Sequence, residues 1–418
     1  MQRLAVLSMH TSPLAQPGTG DGGGMNVYVR ELSSSLARAG IAADVYTRTE
    51  SPDTSPIVEV EPGLTVHHVE AGPLEPLEKH ALHGFTGAFA EAVAARIEAM
   101  GALGVGRPDA IHANYWLSGI AGHALKHELG VPLVSTFHTL DRVKAEASPE
   151  DVDPADPDRR SHAEAQVIGC SDAVLASCAV EVDQLVDLYD ADPTRVEIVA
   201  PGVDHAFFSP GDQAQARRAL SFPADDRIVL FVGRLQPLKA ADVAIEVVAG
   251  IVERARSDAR LVVVGGPSGR RGEEELAALH KQAADLGVAD RVDFVPPQRH
   301  ELLSTFYRAA DVCVVPSRSE SFGLVALEAA ACGIPVVASS VGGLTTLVEH
   351  QETGFLVEGR DSGLFARYVE RLLVDAELRS CYGEAGAARA RPYTWTFAAA
   401  RLRRIYQDLA DRALVDCF

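Results

Sequence analysis

Short apolar runs alternate with longer stretches of helical periodicity along nearly the whole 418-residue chain. That alternation restricts the fold to parallel sheets with crossover helices. A first series of strands is expected near 4–8, 43–47, 110–113, 133–137, 173–177 and 196–199. A second is expected near 228–232, 261–264, 292–295, 312–315 and 336–339. The breaker-rich stretch 200–211 lies between them and reads as the linker, with the boundary near residue 205. The length exceeds what one hydrophobic core serves, and 47% apolar content supplies two. The expected division is a domain over 1–204, a second over 205–393, and a final helix within 394–418. In that last segment Phe397, Leu402, Ile405 and Leu409 have helical spacing.

Charge narrows the partners. With 38 basic and 58 acidic side chains the net charge is −20, which repels nucleic acid and anionic membrane surfaces. A phosphate ligand must then meet a local cluster of Lys and Arg. The apolar run at 4–7 is too short for a signal peptide or a membrane span, so a cytoplasmic protein is expected. Six cysteines (Cys170, Cys178, Cys313, Cys332, Cys381 and Cys417) show no C-x-x-C pair and no histidine at metal-ligand spacing. They read as reduced, mostly buried thiols, and zinc is not expected. The acidic, proline-containing run 148–158 reads as a mobile surface loop.

Chemistry concentrates where strands end. After the strand at 312–315, the chain turns through Ser317 and Ser319 towards a helix. Glu320 is expected at the helix mouth and Glu328 about two turns inside, both facing one ligand. Unpaired amides at Phe322, Gly323 and Leu324 suit a phosphate or a developing anion. Arg234 and Lys239, after the strand at 228–232, converge from a loop across Pro237 and suit a diphosphate. Gly18, Gly20 and Gly23 form G-x-G-x-x-G, but nine residues separate them from their strand, and Asp44 stands near the start of the next one. Both facts exclude a dinucleotide fingerprint. A loop leading into a helix near Met25 fits closure over a sugar diphosphate better. His138, at the end of the strand at 133–137, is open to two readings, a satisfied core residue or a site residue.

Glu320-x7-Glu328 followed by Gly333-Ile-Pro-Val-Val-Ala338 resembles the donor signature of retaining nucleotide-sugar glycosyltransferases with two Rossmann-like domains. Gly233-Arg-Leu-Gln-Pro-Leu-Lys239 stands where that family keeps its paired Arg and Lys. Gly18-Thr-Gly-Asp-Gly-Gly-Gly-Met-Asn26, with Met9-His-Thr-Ser-Pro13, is similar to the D-inositol 3-phosphate glycosyltransferases of mycothiol biosynthesis. The resemblance covers nearly the whole chain. It implies an α/β fold of two Rossmann-like domains (GT-B type) facing across a cleft, with the C-terminal helix crossing back onto the first. It implies a UDP-sugar donor held by Gln16, Pro17, Gly24, Arg234, Lys239, Glu320, Phe322, Gly323, Leu324 and Glu328. His138, Arg234, Lys239 and Glu320 would carry catalysis, His138 under the donor sugar. A phosphorylated cyclitol acceptor would meet His10, Asp21, Gly22, Gly23, Gly24, Met25, Asn26, Lys79, Tyr115, Thr139 and Arg160.

The same resemblance implies N-acetylglucosamine transfer from UDP to inositol 3-phosphate with retention, in a homodimer. No cofactor is required for catalysis. A peripheral magnesium is implied on the backbone of Tyr307, Arg308 and Ala310. The chain departs from the family pattern at Asn114, at Ser177-Cys178 and at Ala147 or Glu146. Alternatives are a transferase using another cyclitol or sugar acceptor, a UDP-glucose enzyme like sucrose-phosphate synthase, a UDP-sugar epimerase, and a non-catalytic sugar-nucleotide binder.

Overall fold

The computed structural model describes residues 2–148, 158–255, 258–269 and 272–417. Most of the acidic run 148–158 lies outside them. The chain forms two compact units: residues 1–15, 24–200 and 395–418 make the first, and residues 16–23 and 201–394 the second. The expected division differs at residues 16–23, which sit with the second unit although they precede the first helix.

The first unit is built on an eight-stranded sheet. Its strands are β1 (Arg3–Leu7), β2 (Ala42–Arg48), β3 (Ile57–Glu61), β4 (Leu64–Val69), β5 (Ala110–Asn114), β6 (Leu133–Thr136), β7 (Ala173–Ala176) and β8 (Val196–Ile198). Their order is β3-β4-β2-β1-β5-β6-β7-β8, parallel throughout except for the antiparallel pair β3/β4. That hairpin is absent from the strands expected from sequence. β3 is an edge strand that alternates Glu with Val and stays half-exposed, so no continuous apolar run marks it. The order reverses between β1 and β5, which lie side by side.

The second unit carries β9 (Arg227–Val232), β10 (Ala259–Val264), β11 (Val292–Val295), β12 (Val312–Val315), β13 (Val336–Ser339) and β14 (Gly354–Val357). The all-parallel order β11-β10-β9-β12-β13-β14 is the doubly wound arrangement, with its switch point between β9 and β12. Both faces are covered, which is why the strands read Val-rich without alternation. Asp212, Asp361 and Asp375 cap helices of this unit by accepting from backbone amides three residues on.

The helix Trp395–Ala410 returns to the first unit. It buries Trp395, Ala398, Ala399, Leu402, Ile405, Tyr406 and Leu409, one apolar stripe at helical spacing. Tyr406 reaches the middle of the sheet, where its hydroxyl lies 3.0 Å from His112 Nδ1, while His112 Nε2 lies 2.9 Å from Thr136 Oγ1. Among the described residues, no helix is long and apolar enough to cross a membrane.

Burial lowers the imidazoles of His112 and His138 to about 3, so both are neutral in the folded protein. In the unfolded chain each takes up a proton near pH 6.5. Between those values the unfolded state binds more protons, and stability is lost as pH falls through that window, by roughly 2 kcal/mol per histidine at pH 5. The denaturant midpoint should therefore drop between pH 7 and pH 5, and His112→Asn should flatten the slope while lowering stability at pH 7. An unchanged midpoint across that range would contradict the neutral buried pair.

Candidate active site

The loops that leave β9 and β12 flank the switch point of the second unit, the position where an open parallel sheet presents backbone and side chains to a ligand. After β9 come Gly233 and Arg234, then a 3-10 turn, Pro237–Lys239, ended by Ala240 in the left-handed region at φ 54°. After β12 comes Glu320. Lys239 Nζ donates to Glu320 Oε2 at 2.6 Å, and Ser317 Oγ donates to the same oxygen at 3.2 Å. Arg234 Nη1 donates to Ser268 Oγ at 3.2 Å. The paired cations and the first carboxylate thus share one strand edge, although they are far apart in the chain.

The helix begins at Leu324, so Glu320 lies in the loop ahead of it rather than at its mouth. Gly323, left-handed at φ 99°, interrupts the run. The backbone of Glu320 is fixed instead by the next loop, whose Gly343 amide donates to Glu320 O at 3.0 Å. First-turn amides of this helix, Leu324 among them, have no partner within the helix. Phe322 is buried, its ring 5.7 Å from that of Tyr393. The second carboxylate, Glu328, lies within the helix Leu324–Ala331. It is 5% exposed, one oxygen accepting from Tyr307 Oη at 2.8 Å and the other lying 2.7 Å from His300 Nε2. A ligand hydroxyl would have to share its remaining lone pairs.

The glycine loop divides. Gln16, Pro17, Asp21, Gly22 and Gly23 belong to the second unit, whereas Gly24, Met25 and Asn26 open the helix Gly24–Arg38 of the first. Gln16 Nε2 donates to Pro297 O at 3.1 Å, and Ser268 Oγ donates to Gly20 O at 2.7 Å. Ser268 therefore ties the loop to Arg234. A Cβ on Gly23 would lie 3.2 Å from Arg234 Nε. The buried amide of Asn26 donates to Thr11 Oγ1 at 2.7 Å and Ser12 O at 2.6 Å.

In the first unit the loops after β1, β5 and β6 bring His10, Tyr115, His138 and Thr139 to the same sheet edge. His10 and Tyr115 have ring centroids 4.4 Å apart, and the Arg160 guanidinium lies 4.9 Å above the Tyr115 ring. Arg160 Nη2 donates to Thr139 O at 2.6 Å and to Thr139 Oγ1 at 3.0 Å. Its Nε donates to the buried Glu164 at 2.7 Å, one helical turn on. Glu164 was not anticipated, although its i+4 spacing from Arg160 was a signal. Lys79 opens a short helix, Lys79–Leu82, and the His83 that follows stacks on Trp116 at 5.5 Å. His138 Nε2 lies 2.9 Å from Asn114 Oδ1, the residue that departs from the family pattern. Tyr115 and His138 hold φ of 77° and 62°, strained values for side chains of this size.

In the segment expected to hold magnesium, two of the three backbone oxygens already accept a hydrogen bond. Ala310 O accepts from Gln213 Nε2 at 2.9 Å, and Tyr307 O accepts from the Ala310 amide at 3.0 Å. The neighbouring carboxylate, Asp311, is paired with Arg217 at 2.8 Å.

Residues 23–202 match the family model described as glycosyl transferase 4-like domain, and residues 212–389 the one described as glycosyl transferases group 1. A D-inositol 3-phosphate glycosyltransferase from Acidothermus cellulolyticus is 48% identical over 415 residues, covering 98% of this chain and 91% of the relative. One from Salinispora tropica is 47% identical, covering 97% and 85%. The solved sucrose-phosphate synthase from Thermosynechococcus elongatus superposes with a TM-score of 0.89 at 33% identity, covering 98% of this chain and 99% of that one. Anabaena HepE, solved with UDP and glucose, shares the fold at a TM-score of 0.76 and 19% identity, covering 98% of this chain and 100% of that one.

Gly342 sets a test of the loop geometry. It has φ 48°, and a Cβ there would lie 1.9 Å from Glu320 O. Gly342→Ala should destabilise the second unit by about 1–3 kcal/mol and displace Glu320. A denaturation midpoint equal to wild type would show that this approach is not the constraint.

Proposed function

This chain belongs to the D-inositol 3-phosphate glycosyltransferase family of two-domain glycosyltransferases, and from that membership we propose that it transfers N-acetylglucosamine from UDP to 1D-myo-inositol 3-phosphate with retention at the anomeric carbon. The observation that carries the acceptor is Arg160, held by Glu164 and Thr139 over the Tyr115 ring. A guanidinium fixed in this way is pre-oriented for a phosphate. The acceptor phosphate would add to this cluster together with Lys79.

On the donor side, Arg234 and Lys239 would take the charge that develops on the departing diphosphate. Lys239 is now paired with Glu320, so an arriving diphosphate competes for the ammonium and frees the carboxylate for sugar hydroxyls. The bond from the anomeric carbon to the diphosphate oxygen breaks, and an inositol hydroxyl adds on the same face. Its proton passes to the leaving phosphate oxygen. His138 is neutral and enters as a dipole, with its side chain and carbonyl beside the positive charge that develops at carbon.

A second reading is a UDP-glucose enzyme acting on a sugar phosphate, favoured by the 33% identity to sucrose-phosphate synthase. Steady-state kinetics with UDP-N-acetylglucosamine and UDP-glucose, each against inositol, inositol 3-phosphate and fructose 6-phosphate, separates the two. Lys79→Ala and Arg160→Ala should each raise the KM for inositol 3-phosphate about 10- to 100-fold and leave the donor KM nearly unchanged. Equal use of free inositol by the wild type would remove the phosphate from the reading.

Because Arg234 and Lys239 supply the positive charge, turnover should not require a divalent ion. The expected result is full activity after extensive chelation, assayed well below the melting temperature. Loss of activity that magnesium restores would count against the two cations as the diphosphate clamp.

A further inference from the structure

On the first unit, away from the strand-end cluster, His123 and His127 stand one turn apart on the helix Trp116–Leu129, their ring centroids 5.0 Å apart. Cys417, 290 residues further along, brings its Sγ to 3.2 Å from His127 Nε2. One ligand atom from each of the three residues lies within 4.8 Å of the others. Sequence spacing hid this group because the cysteine and the histidines come from two distant segments.

The position of Cys417 is built. Lys126, between the two histidines in sequence and 1% exposed, donates from Nζ to Val415 O at 3.0 Å and to Cys170 O at 2.8 Å. Its charge is matched by buried Asp172 at 2.9 Å, and Asp172 Oδ1 accepts from the Val415 amide at 2.7 Å. Both polar groups of the Val415 backbone are thus pinned two residues before Cys417, which fixes the register of the tail over the histidine pair.

We propose that His123, His127 and Cys417 form a binding site for a soft divalent cation of the zinc type, with water as fourth ligand, which fastens the C-terminal segment to the first unit. Two imidazoles and a thiolate belong to the donor set of tetrahedral zinc. Bond lengths of about 2.0–2.3 Å put neighbouring ligand atoms roughly 3.4–3.8 Å apart, so the three atoms close on an ion with sub-ångström to one-ångström shifts. Binding releases the Cys417 thiol proton to solvent, and the free energy of coordination adds to that of tail docking. None of these residues enters the glycosyl-transfer reading, and the site stands or falls apart from it.

The test is titration of the full-length chain, reduced and freed of metal, with Co²⁺ followed by Zn²⁺. One cobalt per chain should bind, with a thiolate-to-cobalt charge-transfer band and the strong visible absorption of a tetrahedral site, and zinc should displace it. His127→Ala and Cys417→Ser should each weaken cobalt binding at least about tenfold, and Cys381→Ser, at an exposed cysteine elsewhere, should leave it unchanged. Thermal melting of each variant checks that it is folded. Absence of saturable binding, wild-type affinity in Cys417→Ser, or a Cys170–Cys417 disulfide in chain prepared without added oxidant would overturn the proposal.

Discussion

The constraint on which the rest depends is the parallel sheet with helices on both faces. Its interior strands are covered above and below, and in the described residues the strand-end cluster gathers on loops at the carboxyl ends, beside the points where strand order reverses. Each unit obeys this. In the second, Arg234 and Lys239 leave one strand of the β9/β12 pair and Glu320 the other, so a single parallel pairing fixes the distance between cations and carboxylate. In the first, the β1/β5 and β5/β6 pairings bring His10, Tyr115 and Thr139 together in the same manner.

Such loops must pass very close to one another, and the chain meets that demand in two ways. Where backbone touches backbone, glycine is used: Gly342 against Glu320 O, and Gly265, where a Cβ would lie 1.8 Å from Gly233 O. Where a side chain must be aimed, the backbone is strained instead, at Tyr115 and His138. Each strained residue is held by contacts on both sides, Tyr115 between His10 and Arg160, and His138 between Tyr28 and Asn114. Strain of this kind persists only where the surroundings over-determine it.

Legibility in the sequence follows the range of the interaction. The Val-rich strands were legible because burial on both faces makes an apolar run. β3 was not, because an edge strand with one wet face needs none, nor was β4, whose buried run is broken by Thr65, His67 and His68. Arg234, Lys239 and Glu320 were legible because strand ends and helix starts leave local signals. Glu164 shares a helix with Arg160 and leaves an i+4 signal, whereas Ser268 and His300 leave none, because each acts through a partner in another element: the glycine loop and Glu328 respectively. The same reason hid Cys417 from the histidines it meets. The glycine loop was legible as a loop leading into the helix that opens at Gly24, yet its division between units was not, since that depends on Pro297 and Ser268 far along the chain.

Electrostatics ties the two halves of the chemistry to the net charge of −20. Arg160 is outnumbered by its carboxylate partners, with Glu164 at 2.7 Å and Asp141 at 3.7 Å. Lys239 is neutralised by Glu320. Neither cation projects a strong field into solvent, and salt at physiological strength screens what remains within about 8 Å. On the proposed reading an anion would therefore be selected on contact rather than drawn in from a distance, by donors whose directions are already set: Arg160 spends Nε and Nη2 on Glu164 and Thr139, leaving Nη1 outside both of those bonds. A carboxylate partner that lowers the net charge of the cluster also removes the rotational freedom of the guanidinium, and less entropy remains to be lost when a phosphate binds.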